Sequence, residues 1–500
     1  MKSIAARTPV LVGIGVASRR EDDWRRALEP IDLMGEAVLS AGADAASGAG
    51  IAGSQQIVTD LLRGVQWIAV PKGRWAYEDP SAEIAKLIGA PNAHRVLSSV
   101  GVLQQTLIGQ ACERIAQGDV HTTLVVGADA GYRLLRAQIA GDSPTERQCA
   151  GTPDEYWRPA DELRHPAEKR AGLKMPVGLY ALIDSAWRRH HGVDLDTHRE
   201  ALARMLVEFS KVAASNPHAW QQREVTRADV LTPSPKNPMQ ALPYTRMHCS
   251  SWNVDQGAAL LFCSAERATA LGIDPARWVY PWVSTESNHM TAVTARADLH
   301  RCVGAEIAGR AALEAAGLSG PELDLVELYN CFPIAVQLYA DALGLSSSQP
   351  LTLTGGMHFA GGPYNNYQLQ STARAASLFR AGRWKTALVS GVSGIVTKQG
   401  FGVWGKEPPS ARFIYRDLTS DVAREALSLP VAEHYTGHAR LLASTVTYAR
   451  GEPPKAIALL ETPARERVLT ASVDPHWISQ FEQDDLAGAT LQVRDGELVP

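Results

Sequence analysis

The sequence predicts a mixed α/β fold with a β-rich C-terminal segment, and three patterns carry that reading. The first is a repeated unit. Residues 118–127 (GDVHTTLVVG) and 382–391 (GRWKTALVSG) each run from glycine to glycine, with Leu-Val at the same place in both. Upstream of each lies a stretch with apolar residues at three- and four-residue spacing, 103–115 and 371–379. Helix, glycine turn and buried Val/Leu strand make an α/β unit. Taken alone, the repeat fits a duplication and fits two unrelated α/β units equally well, because strand and glycine patterns are common. The second pattern is a loss of that rhythm from 133 to 250. The third is a change after 406–410 (KEPPS) to short alternating segments.

The elements follow in order. Residues 10–16 (VLVGIGV) read as a strand, too short and too glycine-broken for the apolar core of a signal peptide. Residues 133–250 alternate charged, proline-bearing stretches with short helices at 177–190 and 199–213. Within them, 231–238 (LTPSPKNP) cannot be a regular element, since three prolines remove backbone donors and fix φ. A buried strand returns at 256–263. Beyond 410, residues 441–448, 455–461 and 490–493 read as strands, with 451–454 (GEPP) a turn, so 410–500 is expected to be a small β-rich, barrel-like domain.

Composition narrows the function classes. The chain has 500 residues, 45% hydrophobic and 20% charged, with a net charge of −4 and no Lys/Arg block. Neither a nucleic-acid nor a membrane-surface partner is expected. No window approaches the roughly twenty apolar residues of a membrane span. The six cysteines are scattered, with no C-x-x-C pair and no Cys/His spacing that suits zinc, so no metal site and a reducing, cytoplasmic setting are expected.

One stretch is chemically suggestive: 355–364, GGMHFAGGPY. With it go 327–332 (ELYNCF), 210–217 ending in Asn216-Pro217, and 255–259 (DQGAA). In this order and spacing the segments resemble the thiolase superfamily over residues 8–405. Within it they resemble the thiolase-like proteins type 1 related to sterol-carrier-protein-2 thiolases. The β-rich segment resembles the additional C-terminal domain of the actinobacterial members. The resemblance implies a duplicated thiolase fold, a five-layer αβαβα core of two similar halves. Residues 1–132 and 251–278 would form the first half, 133–250 an inserted loop domain, and 279–405 the second half. It implies membership of the acetyl-CoA acetyltransferase (acyltransferase) family, in lipid and acyl-CoA metabolism. It also implies CoA or acyl-CoA as ligand or substrate, with no other cofactor. Dimers are the family habit, and the extra domain leaves a monomer open.

Thiolase chemistry needs a thiolate nucleophile, an acid/base for the α-proton, and donors for two oxyanions. Matching the family's loops places the nucleophilic cysteine at Ser99, the histidine of G-H-P at Gly362, and the second cysteine of C-x-G at Gly391. The Asn or His of the fourth loop falls at Tyr329, followed by Asn330. All four usual residues are replaced. Ser99 is a weak nucleophile without a base, and Ser98 or Ser99 reads rather as a helix cap. Tyr329 can donate a hydrogen bond or simply pack. Tyr364, beside Gly362, brings bulk and a hydroxyl. Gly361 and Pro363, with Val392, Ser393 and Gly394, are expected to line the CoA side through exposed backbone. His358 reads as a structural or surface histidine and Cys331 as a buried, inert cysteine. The expectation is an acyl-CoA-binding protein without standard thiolase turnover. The alternatives are a lyase cleaving β-hydroxyacyl-CoA by tyrosine acid/base chemistry, and a non-catalytic scaffold or regulator.

Overall fold

The computed structural model describes residues 4–48, 50–160, 164–346, 348–483, 486 and 488–499. Three sheets organise it. The first runs Pro9–Ser18, Asp255–Ser264, Thr122–Ala130, Trp67–Pro71, His94–Ser98, Glu155–Trp157. The second, read from the corresponding edge, runs Tyr280–Ser287, Lys398–Gly405, Thr386–Ser393, Leu325–Glu327, with Ile414–Asp417 outside Tyr280–Ser287. The two share strand order and direction: two antiparallel pairings, then a parallel one. The repeated strands Thr122–Ala130 and Thr386–Ser393 occupy the same place in each sheet, so the sequence repeat is a duplication of the fold.

The helices that precede those strands, Gln104–Gln117 and Tyr367–Arg380, lie between the two sheets. Helix residues Leu107, Ala111, Leu369, Ala376 and Phe379 share one buried cluster with Val125 and Leu260 of the first sheet and Val389 of the second. The outer face of the first sheet is covered by Pro30–Ala45 and its neighbours, and that of the second by Pro333–Leu343. This is the five-layer αβαβα core.

The edges depart from the expected boundaries. Glu155–Trp157, from the inserted region, pairs in parallel with His94–Ser98. Ile414–Asp417, drawn into the C-terminal domain by composition, instead extends the second sheet. The third sheet runs open from Arg467–Ser472 to Glu497–Leu498 with Gly437–Thr447 at its centre, and the short strands Met239–Ala241 and Tyr244–Thr245 of the inserted region join it at Thr447. The two end strands approach one another, but no ladder joins them among the described residues, so the barrel-like expectation gives way to a curled sheet. Gly437–Thr447 packs along the helix Pro176–His190, with the Ser444 N–H donating to Ser185 Oγ at 3.2 Å. Ala443, Ile457 and Leu459 join the same buried cluster as Leu179 and Ile183. The appended domain therefore braces the insertion.

A buried carboxyl marks the junction of the second sheet with its added strand. Glu286 accepts from Thr106 Oγ1 at 2.5 Å, Tyr415 Oη at 2.9 Å and Asn288 Nδ2 at 3.0 Å. Burial pushes its carboxyl from 4.5 up to about 7 despite these donors. Between those values the folded protein holds a proton that the unfolded chain has released, so this group's contribution to stability falls as pH rises through the window. Glu286→Gln should remove that dependence. The variant's melting temperature relative to wild type is expected to increase between pH 5 and pH 7.5, and parallel melting curves would exclude the assignment. At the centre, Phe379→Ala should cost about 3–5 kcal/mol, read as a lowered denaturant midpoint.

Candidate functional site

The site is built around a carboxylate at the end of the strand Leu325–Glu327. Glu327 has 0% exposure. Its Oε1 accepts from Tyr367 Oη at 2.6 Å and Asn330 Nδ2 at 3.0 Å. Its Oε2 accepts from the backbone N–H groups of Leu353 at 2.5 Å and Thr354 at 3.0 Å. Burial pushes the carboxyl up, and these donors oppose the shift. Asn330 Oδ1 in turn accepts from the Met357 N–H at 2.8 Å. Two loops distant in sequence are thereby locked together, and the glycine loop is threaded over them. Its tight path needs glycine at two places. Gly355 (φ 98°) has the Ala213 side chain 2.4 Å from where a Cβ would lie, and at Gly361 (φ 104°) Gln256 Oε1 would be 2.3 Å away.

In front of this loop lies a cavity of about 1160 Å³. Of the residues singled out from sequence, Tyr329, Gly362, Tyr364, Val392, Ser393 and Gly394 line it. Ser99, Asn330, Gly361, Pro363 and Gly391 do not. Ser99 is half-buried, its N–H bonded to Trp157 O at 2.8 Å, and Val100 and Gly101 form the wall there instead. It is no helix cap either. The helix begins at Gln104, with Leu103 as its cap residue and no side-chain cap bond. Asn330 is spent on the Glu327 network, Gly361 is turned onto Gln256, and Pro363 is buried. Gly391 sits inside its strand, where a Cβ would lie 2.2 Å from Gln368 Oε1.

The buried thiols, the imidazole and the Tyr329 phenol of the cavity are neutral near pH 7. Burial pushes the Cys331 and Cys249 thiols up to about 12, and the Cys331 thiol donates to Tyr180 Oη at 3.2 Å. His358, expected to be a structural or surface residue, is on the cavity wall at 4% exposure. Burial lowers it to about 4, and neither ring nitrogen has a well-formed hydrogen bond, although the nearby Cys249 backbone slightly favours its charged form. Tyr329 is pushed up by burial. Its ring meets Tyr367 edge-on at 5.8 Å, and no hydrogen-bond partner for its hydroxyl is found among the described residues. Tyr364 stands at the mouth with φ 46°, under the Arg74 guanidinium at 5.7 Å.

The cations went unnoticed in the sequence. Arg20, Arg223, Lys236 and Arg246 line the cavity and are exposed at its rim, whereas Lys398 lines it at 3% exposure. No carboxylate lines it among the described residues. Met175, Met247, Met290 and Met357, four of the chain's eight methionines, also face it. A signal for Lys398 did exist, as the one charge in the otherwise uncharged run 386–405. Among the described residues no cluster of three His, Cys, Asp or Glu could hold a metal.

No family profile matches the chain. An acetyl-CoA acetyltransferase of Methanothermobacter thermautotrophicus is 31% identical over 177 residues, 35% of this chain and 43% of that protein, so the match spans less than half of that relative. Its namesake in Methanocaldococcus jannaschii is 23% identical over 338 residues, 68% of this chain and 76% of that protein. Among solved structures, human mitochondrial 3-ketoacyl-CoA thiolase in complex with CoA shares the fold, with TM-score 0.54, 15% identity, and coverage of 81% of this chain and 99% of that one. So does the Ltp2-ChsH2(DUF35) aldolase, with TM-score 0.58, 19% identity, and coverage of 80% and 98%. With the duplicated core and the converging loops, these likenesses define the class: the chain belongs to the thiolase superfamily. Within it, the chain is similar from end to end to a monomeric SCP2-thiolase-like protein type 1 from Mycobacterium smegmatis. That match has TM-score 0.81 and 26% identity, over 99% of this chain and 100% of that one.

Restoring the family's residues separates the two glycines. At Gly362 a Cβ meets nothing nearer than Ser250 Cβ at 3.3 Å, so Gly362→His should cost less than about 1 kcal/mol. Gly391→Cys should cost about 1–3 kcal/mol, because Gln368 is displaced. Thermal melting of both variants checks this, and equal melting temperatures would refute the packing argument.

Proposed function

We propose that the chain binds an acyl thioester of coenzyme A in the cavity and carries out no cysteine-based thiolase turnover. The observation that carries this reading is the division of charge in the cavity. Four exposed cations ring its mouth, no described carboxylate lines it, and methionine and aromatic side chains form much of the wall. Such a surface suits a ligand with phosphates at one end and an apolar body. The loss of turnover is supported by chemistry. The two cavity thiols stay protonated, the cavity imidazole has no activating partner, and positions 362 and 391 are glycine. The relatives named acetyl-CoA acetyltransferase support a setting in acyl-CoA metabolism.

Retro-aldol cleavage of a β-hydroxyacyl-CoA is a second reading, favoured by the Tyr329 phenol on the cavity wall. That hydroxyl stays protonated at neutral pH, so it would donate to the thioester oxygen that becomes an enolate oxygen on cleavage, and the proton of the β-hydroxyl would pass to a separate acceptor. Folds of thiolase type serve both an aldolase and a thiolase, so the fold does not choose between them. Two further features go with the proposal. A monomer is supported by Glu155–Trp157, which covers the outer edge of His94–Ser98, and by the monomeric relative. A cytoplasmic setting is supported by six free cysteines. No helix among the described residues is long and apolar enough to cross a membrane.

Purified protein titrated with CoA, acetoacetyl-CoA and β-hydroxyacyl-CoAs, with thioester products followed, tests the reading. CoA species are expected to bind, and acetoacetyl-CoA to remain uncleaved above background. Steady acetoacetyl-CoA cleavage would overturn the reading of positions 99, 362 and 391. Aldehyde or ketone release that disappears in Tyr329→Phe would establish the lyase. No binding of any CoA species would leave a scaffold.

A further inference from the structure

We infer that the Asn365 side chain donates a hydrogen bond to the thioester oxygen of the bound acyl-CoA, from a position outside the four that match the family's catalytic loops. The inference rests on the reading that the cavity takes CoA thioesters. Asn365 lines the cavity three residues beyond Gly362. The direction of its amide is fixed by a chain of bonds that starts from backbone. The Gln368 N–H can only donate, so the end of the Gln104 side chain that lies 2.7 Å from it is the oxygen, Oε1. The Gln104 amide nitrogen therefore points the other way, and it donates to Asn365 Oδ1 at 3.4 Å. Asn365 Nδ2 is left with no hydrogen-bond partner among the described residues, on a half-buried side chain. A buried donor without a partner is costly, and an acceptor brought by a ligand removes that cost.

Backbone sets the place of this amide. Tyr364 takes φ 46°, a left-handed conformation unusual for a residue with a side chain, and Asn365 takes φ −99° and ψ 39°, outside the helix that opens at Tyr367. The amide consequently stands where the four loops meet. Gln104 opens its helix directly after the Val100–Gly101 wall, and Gln368 lies against Gly391. Tyr367, two residues beyond Asn365, meets the Tyr329 ring edge-on at 5.8 Å. Positions 99, 329, 362 and 391 are those matched to the family's loops, so the reacting end of a bound thioester falls among them. That end offers one good acceptor, the carbonyl oxygen, because sulfur accepts weakly and an alkyl chain not at all. In the lyase reading the Tyr329 hydroxyl is a second donor to the same oxygen.

Equilibrium binding of butyryl-CoA and of S-butyl-CoA, the thioether with CH2 in place of the carbonyl, tests this in wild type, Asn365→Asp and Asn365→Leu. Wild type is expected to bind the thioester about fivefold to fiftyfold more tightly than the thioether, the range for a buried donor that is otherwise unpaired. Asn365→Asp keeps the oxygen that Gln104 uses and removes the donor, and Asn365→Leu removes both. In each variant the thioester preference should fall below about twofold. The melting temperature reports whether the variants fold. If only one folds, that one decides, and if neither does, the wild-type comparison decides alone. Equal wild-type affinities would overturn the assignment and leave the CoA reading standing. A preference that survives in a folded variant would overturn it too, and if both ligands weaken alike there, the donor belongs to the pantetheine arm. If neither ligand binds wild type, it is the CoA reading that fails, and the assignment falls with it.

Discussion

The arrangement of the site depends on one buried carboxylate. Glu327 has no contact with solvent, and two loops from different parts of the second half converge on it through backbone and side-chain donors. A carboxylate placed this way is tolerable only when its lone pairs are filled, and removing it would strand several buried donors at once. The strand end, the Tyr329 turn and the glycine loop therefore hold a common register. The frame on which this superfamily mounts its chemistry is intact, although the residues on the frame have changed.

That contrast accounts for the character of the cavity. Glycines at 355 and 361 are kept by close approach to Ala213 and Gln256, a constraint of packing that has nothing to do with catalysis. Gly391 is kept by Gln368, which lies between the two sheets. A loop can thus retain the look of an active site because its backbone has no other route, while the residue at 362 is held less tightly than its neighbours at 355 and 361. What lines the cavity in place of thiolate and imidazole chemistry is a set of cations together with soft methionine side chains.

Much of the fold was legible in the chain. Two glycine-bracketed Leu-Val strands, each preceded by an amphipathic stretch, occupy equivalent places in two sheets because local period and burial agree there. The site was legible only in part. Tyr329, Gly362, Tyr364 and the 392–394 turn reach the cavity because they sit on loops that the frame aims inward. Asn330 looked equally suitable but points back into the Glu327 network, and sequence spacing does not reveal which way a side chain turns. Ser99 was read as a nucleophile position or a cap; it caps no helix, since the helix starts five residues later, and it does not line the cavity. The rim cations come from four separate segments, so their convergence exists only in three dimensions. The edge strands 155–157 and 414–417 were missed for a related reason: short strands owe their pairing to a neighbour rather than to their own composition.

The C-terminal sheet leans on the helix Pro176–His190, and that helix presents Val177 and Tyr180 to the cavity. One wall of the pocket is therefore shored up by a domain on the same polypeptide. A separate subunit in that position would leave at low concentration and take the wall's support with it. A tethered one is present at a fixed and high effective concentration. The shape of this cavity is consequently independent of how dilute the protein becomes.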